Sequence, residues 1–142
     1  MLLQIIVGAA ASICNVMIHA LVMAGIIKIL RKQVEKASLS LWFLVSTMIA
    51  SVTVLVSAHI LEVTVWAACY WLVEAAPAGS NLLYFAFVNY TTLGYGDIIP
   101  VERWQLLGPL AAMNGILMFG WSTAVIFEVL QRTLTHMDAA GK

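Results

Sequence analysis

NLLYFAFVNYTTLGYGD, residues 81–97, joins a short apolar stretch to a loop punctuated by Gly94 and Gly96. Pro77, Ala78 and Gly79 before it read as a turn, and Ser80 as the N-cap of a helix over residues 81–91. Eleven residues make a helix of only about 16 Å, about half the ~30 Å hydrocarbon core of a bilayer. The segment is nevertheless set between long apolar stretches. A helix in that position enters the membrane and stops midway, which is tolerated only where protein buries it or it lines a watery cavity.

Three stretches around it, residues 1–27, 37–61 and 104–127, lack Lys, Arg, Asp and Glu, and each is long enough to cross a bilayer. The chain of 142 residues is 63% hydrophobic and 10% charged, against about 45–50% and about 25% in soluble domains. A water-soluble globule is excluded. The apolar start has no Lys or Arg before Lys28 and is too long for a signal-peptide core, so it reads as a retained membrane helix. Lys28, Arg31, Lys32 and Lys36 outweigh Glu35 in the first connection, and short basic loops stay cytoplasmic. The N-terminus is therefore expected outside and the C-terminus in the cytoplasm, in the cell (plasma or inner) membrane. Trp42 is expected at the inner boundary and Trp66, Trp71 and Trp104 near the outer one, where indole rings gather. Formal net charge is zero and no long basic run is present, so nucleic acid is not an expected partner. Cys14 and Cys69 have neither metal-ligand spacing nor a disulfide pattern and read as packing residues.

The loop itself suits one chemistry. A cation that sheds its water needs several oxygens at close range, and backbone carbonyls can supply them. For successive carbonyls to point the same way the chain must alternate ordinary and left-handed conformations, which Gly94 and Gly96 adopt without penalty. The negative C-terminal end of the 81–91 helix also favours a cation beside it. Thr91-Thr92-Leu93-Gly94-Tyr95-Gly96-Asp97 resembles the pore loop of potassium channels, and the likeness covers about residues 39–132.

The resemblance implies an all-α membrane protein with three transmembrane helices, a re-entrant pore helix and a selectivity-filter loop, assembled as a homotetramer in membrane lipid. Residues 1–36 would be an added N-terminal helix with a basic cytoplasmic loop, and 37–142 the pore domain. Within it the outer helix is expected at about 39–75, the pore helix at 81–91, the filter at 92–97 and the inner helix at about 104–133. The likeness implies potassium ions held by carbonyls of Thr92, Leu93, Gly94 and Tyr95, with the Thr92 hydroxyl as a further ligand. Gly96, Asp97 and Tyr84 would support the filter, Tyr84 by donating its hydroxyl to Asp97. Leu93 replaces the commoner Val or Ile, and Val88 stands where some members carry a carboxylate behind the filter; neither removes an ion ligand. Asn89 and Tyr90 are less familiar choices, and the resemblance assigns them no role.

The third span contains Gly115 and Gly120, which look like the family's inner-helix glycines. Either could be a gating hinge, and either could let helices approach closely. Ile116, Phe119, Thr123 and Phe127 share a face that would line the cavity. Glu128 reads as an intrahelical partner of Arg132 four residues on, or as one quarter of an acidic ring at the inner mouth.

Polar groups inside spans are functional candidates. Asn15 with His19 on the first helix, and His59 with Glu62 on the second, each share a face. They could dock the two helices or respond to protons. A metal site is disfavoured because neither helix alone supplies enough ligands. No span has the periodic arginines of a voltage sensor. No nucleophile, base and oxyanion set appears, so no enzyme and no cofactor is expected. Passive potassium flow is the expected function, with a weakly selective cation channel or a non-conducting regulatory subunit as alternatives and an unidentified regulatory protein as a possible partner.

Overall fold

The structure is a computed structural model that describes residues 1–34 and 40–140. Glu35 and Lys36, part of the basic connection from which orientation was read, and residues 37–39, where the outer helix was expected to start, lie outside the described residues. The chain folds as α1 (Leu2–Val34), α2 (Leu41–Leu72), the short α3 (Leu82–Tyr90), a 3-10 turn (Glu102–Trp104) and α4 (Leu107–Ala140). Among the described residues there is no strand. α1, α2 and α4 are each long and apolar enough to cross a membrane. At 1.5 Å per residue the 32 residues of α2 reach about 48 Å, so this helix extends past the hydrocarbon or tilts within it.

Helix ends differ from the sequence expectation in ways that local chemistry explains. Ser40 caps α2, its hydroxyl accepting from the Phe43 N–H at 3.3 Å. The far end stops at Leu72 rather than near 75, because Glu74 turns to a positive φ of 52° and the Ala75 N–H reaches back to the Tyr70 carbonyl. The N-cap of α3 is Asn81, not Ser80: the Asn81 side-chain oxygen accepts from the Tyr84 N–H at 3.1 Å, the usual N-cap bond. The inner helix begins at Leu107 after the 3-10 turn and continues to Ala140. Thr53, Ser57 and Thr64 face outward on α2, yet each hydroxyl donates to the carbonyl four residues back at 2.8–2.9 Å. No polar hydrogen is thereby left bare in lipid.

α1 lies against both α2 and α4, and α3 is held between α2 and α4. Around α3 the core is aromatic, with Trp66, Tyr70, Phe85, Tyr90 and Trp104 buried against Leu107 and Ala111. Trp66 and Trp104 are interior side chains, whereas Trp42 and Trp71 remain exposed. A second, aliphatic cluster joins Met23, Ile26 and Leu30 of α1 to Leu55, Val125 and Val129.

Buried polar groups lie alongside this core. The Asn114 side-chain oxygen on α4 accepts from Asn15 Nδ2 of α1 at 2.8 Å and from Trp66 Nε1 of α2 at 3.0 Å. Asn15 Nδ2 also reaches the Glu62 carbonyl at 3.3 Å. One oxygen therefore ties three helices together. Asn114→Leu strands two buried donors at about 1–3 kcal/mol each, and a loss of about 3 kcal/mol is expected in thermal unfolding in detergent. A loss below about 1 kcal/mol would show that this oxygen does not clamp the helices.

Candidate functional site

α3 delivers the glycine loop by a chain of backbone bonds. The Thr91 N–H and hydroxyl both donate to the Phe87 carbonyl, at 2.9 and 2.7 Å. The Thr92 N–H donates to Asn89 at 3.0 Å. The Val88 carbonyl then receives two donors, Leu93 N–H at 3.0 Å and Gly94 N–H at 3.3 Å. In a trans peptide the N–H and the preceding C=O point opposite ways. With the N–H groups of Leu93 and Gly94 turned back to the helix, the carbonyls of Thr92 and Leu93 face away from it.

Thr92, Gly94 and Gly96 have φ of 63°, 60° and 76°. Every second residue is left-handed, as alignment of successive carbonyls demands. The left-handed conformation of Thr92 is not signalled by the sequence, because a β-branched residue rarely adopts this region. Residues 91–97 are all exposed in the single chain, Tyr95 to 68%. Tyr84 stands at the other end of α3, and hydrogen bonding toward Asp97 together with that negative charge pushes its phenol above the ordinary tyrosine range.

On α4, Ile116, Thr123 and Phe127 are exposed on one face. Phe119 is only partly on that face: its ring lies 4.7 Å from the His59 ring and 5.4 Å from the Tyr90 ring. Gly115 and Gly120 separate sharply. A Cβ at Gly115 would overlap the Tyr90 carbonyl oxygen and come to 2.9 Å from its carbon, while one at Gly120 would meet nothing within 4 Å. Glu128 accepts from Arg132 Nε, so its carboxylate is engaged within its own helix.

Asn15, His19, His59 and Glu62 come together with Asn114, Tyr90 and Ser122, which sequence reasoning left unassigned. Glu62 and His19 are fully buried. His19 Nδ1 meets Glu62 Oε1 at 2.7 Å, and His59 Nδ1 meets Glu62 Oε2 at 3.0 Å. The Tyr90 hydroxyl donates to the same Oε2. The other ring nitrogens converge on Ser122 Oγ, from His59 at 2.9 Å and from His19 at 3.4 Å. The stripe Asn114, Met118, Ser122 on α4, at intervals of four, was the available signal for the last partner. Nitrogen and carboxylate oxygen lie at hydrogen-bond separation, closer than the roughly 3.3 Å between ligand atoms that a tetrahedral ion with ~2.0–2.1 Å bonds requires.

A family model described as ion channel matches residues 39–132, about two thirds of the chain. The chain belongs to the ion channel family. The match runs over α2, α3, the glycine loop and α4 as far as Arg132, so α1 lies outside it. No curated protein and no solved structure matches this channel. Family membership and three membrane-length helices make it an integral membrane protein.

Proposed function

We propose that this channel conducts potassium passively through a fourfold filter. Each chain supplies the carbonyls of Thr92, Leu93, Gly94 and Tyr95 and the Thr92 hydroxyl as ion ligands. The observation that carries the reading is the left-handed alternation at Thr92, Gly94 and Gly96, with the Thr92 and Leu93 carbonyls turned from their own helix. A ladder of oxygens so arranged replaces the hydration shell of a cation. One chain provides a quarter of each ring, which accounts for the exposure of residues 91–97 in the isolated protomer.

The remaining site residues take roles around that filter. Gly96, Asp97 and Tyr84 brace its outer mouth. Tyr95 turns toward the pore helices of neighbouring subunits, and Ile116, Phe119, Thr123 and Phe127 face the cavity below. A bend at Gly115 would have to part α4 from the Tyr90 carbonyl, so Gly120 is the freer hinge position. With its carboxylate held by Arg132, Glu128 adds little to an inner-mouth field. The basic first connection keeps the C-terminus cytoplasmic.

The test is the reversal potential of the purified protein in planar bilayers under opposed potassium and sodium gradients, beside its mass in detergent. A tetramer with a potential near the potassium equilibrium value is the expected result. A tetramer reversing near zero would replace the reading by a weakly selective cation channel. A stable monomer or dimer without current would replace it by a non-conducting subunit.

A further inference from the structure

The cluster behind the filter has a proton count that its hydrogen bonds define. Both Nδ1 atoms of His19 and His59 face the Glu62 carboxylate, which also receives the Tyr90 hydroxyl. Against an ionised carboxylate, both Nδ1 atoms are donors. Both Nε2 atoms then compete for one Ser122 hydroxyl, which has a single proton to give but lone pairs with which to accept. If both rings are neutral with their protons on Nδ1, one Nε2 has no partner. With the His59 proton on Nε2 instead, its Nδ1 lone pair faces Glu62 Oε2 at 3.0 Å, only the Tyr90 hydroxyl at 3.1 Å being left to donate to it. Either way a net negative charge is buried. If one ring is imidazolium, its Nε2–H donates to Ser122 Oγ, and the Ser122 O–H donates to the other ring. Every group is then paired and the cluster is neutral. The shorter contact, His19 to Glu62 at 2.7 Å, is of charge-assisted length.

We propose that His19, His59, Glu62 and Ser122 form a site for one shared proton, and that Glu62 so neutralised is the positioning residue for the filter through Tyr90. Tyr90 ends α3, two residues before Thr92. Its ring oxygen is held by Glu62 and its backbone carbonyl is seated on Gly115, so the carboxylate sets where the glycine loop begins. Of the titratable groups that hydrogen-bond within the cluster, α1 contributes His19, α2 His59 and Glu62, and α3 Tyr90. α4 contributes only the Ser122 hydroxyl among the described residues. α1, outside the family match, thereby becomes part of the conduction machinery. Loss of the proton leaves an uncompensated carboxylate charge in the membrane interior, a cost relieved by shifting Glu62 toward water and drawing the Tyr90 hydroxyl, which stays bonded to it, along with it.

The link to conduction rests on the potassium reading above, so the test has a readout that does not need current. In full-length protein carrying His136→Gln and 15N-labelled histidine, His19 and His59 are the histidines left to observe. At about pH 7.5 a solvated ring is roughly nine-tenths neutral. The expected spectrum there shows one ring's worth of imidazolium per chain, lost in Glu62→Gln and weakened in Ser122→Ala. In liposomes, potassium flux should fall on the alkaline side by up to roughly tenfold per pH unit, the limit for a one-proton event. Glu62→Gln should flatten that limb, because the amide needs no neutralising proton. Tyr90→Phe should keep the imidazolium signal yet flatten the flux profile. Two neutral rings in folded wild-type protein would overturn the shared proton. An imidazolium signal with flux profiles unchanged by Tyr90→Phe would overturn the link to the filter. Absence of all flux beside an intact signal would sink the potassium reading and leave the proton site standing.

Discussion

Gly115→Ala should lower the stability of the fold and abolish ion flux, while Gly120→Ala leaves the folded chain intact. In isolation the same change in a helix interior gains about 1 kcal/mol, because glycine is the poorer helix former. At Gly120 nothing lies within 4 Å of the new methyl group, and that gain is retained. At Gly115 the methyl overlaps the Tyr90 carbonyl oxygen and crowds the Tyr90 Cδ1 at 3.3 Å. The obstacle is backbone, with no rotamer to escape into, so the cost reaches or exceeds the ~1–3 kcal/mol typical of overpacking. Relief requires α3 to back away from α4. That movement drags the Glu62–Tyr90 bond and the start of the glycine loop with it. Thermal unfolding in detergent and flux in liposomes measure the two halves separately. Equal stability of the two variants would show that α3 does not seat on Gly115.

The fold was legible for a simple reason: charge-free stretches longer than a bilayer are readable by length, and α1, α2 and α4 fall on them. Residues 81–91 were readable for the converse reason, being apolar but too short. Glycines at 94 and 96 announced a left-handed backbone, and both adopt it. What was not legible depends on contacts between elements. Thr92 is left-handed because Leu93 and Gly94 both bond the Val88 carbonyl, a constraint that no property of threonine signals. Trp66 and Trp104 were placed near the outer boundary from their type, which did not signal that both are buried in the aromatic core around α3. Tyr90 had no readable role, since its partner Glu62 is 28 residues away. The histidines and Glu62 showed themselves as expensive residues in apolar spans; only the packing of α1 on α2 and α4 shows why they belong together.

Gly94→Ala should eliminate the proposed potassium selectivity without preventing the proposed assembly, and the reason lies in conformation rather than space. The nearest atom to a Cβ at this position is the Thr92 carbonyl oxygen at 3.9 Å, an ordinary contact. The φ of +60°, however, costs a residue with a Cβ about 1–2 kcal/mol. A single chain tolerates that cost within a stability of about 5–15 kcal/mol. In a proposed ring of four it falls four times on one layer of ligands, roughly 4–8 kcal/mol in all. The loop can escape only by returning residue 94 to negative φ, which rotates the adjoining peptides and turns a carbonyl away from the ion path. Gly79 separates this mechanism from simple backbone strain. It also has a positive φ, +83°, with nothing within 4 Å, but it lies in the turn before α3. Gly79→Ala therefore pays the same conformational cost outside the filter, and its reversal potential should match the wild type. Gly94→Ala should assemble to the same mass with its reversal potential shifted toward zero or its current lost. Indistinguishable potentials in the two variants would mean that the alternation at residues 92–96 does not select the ion.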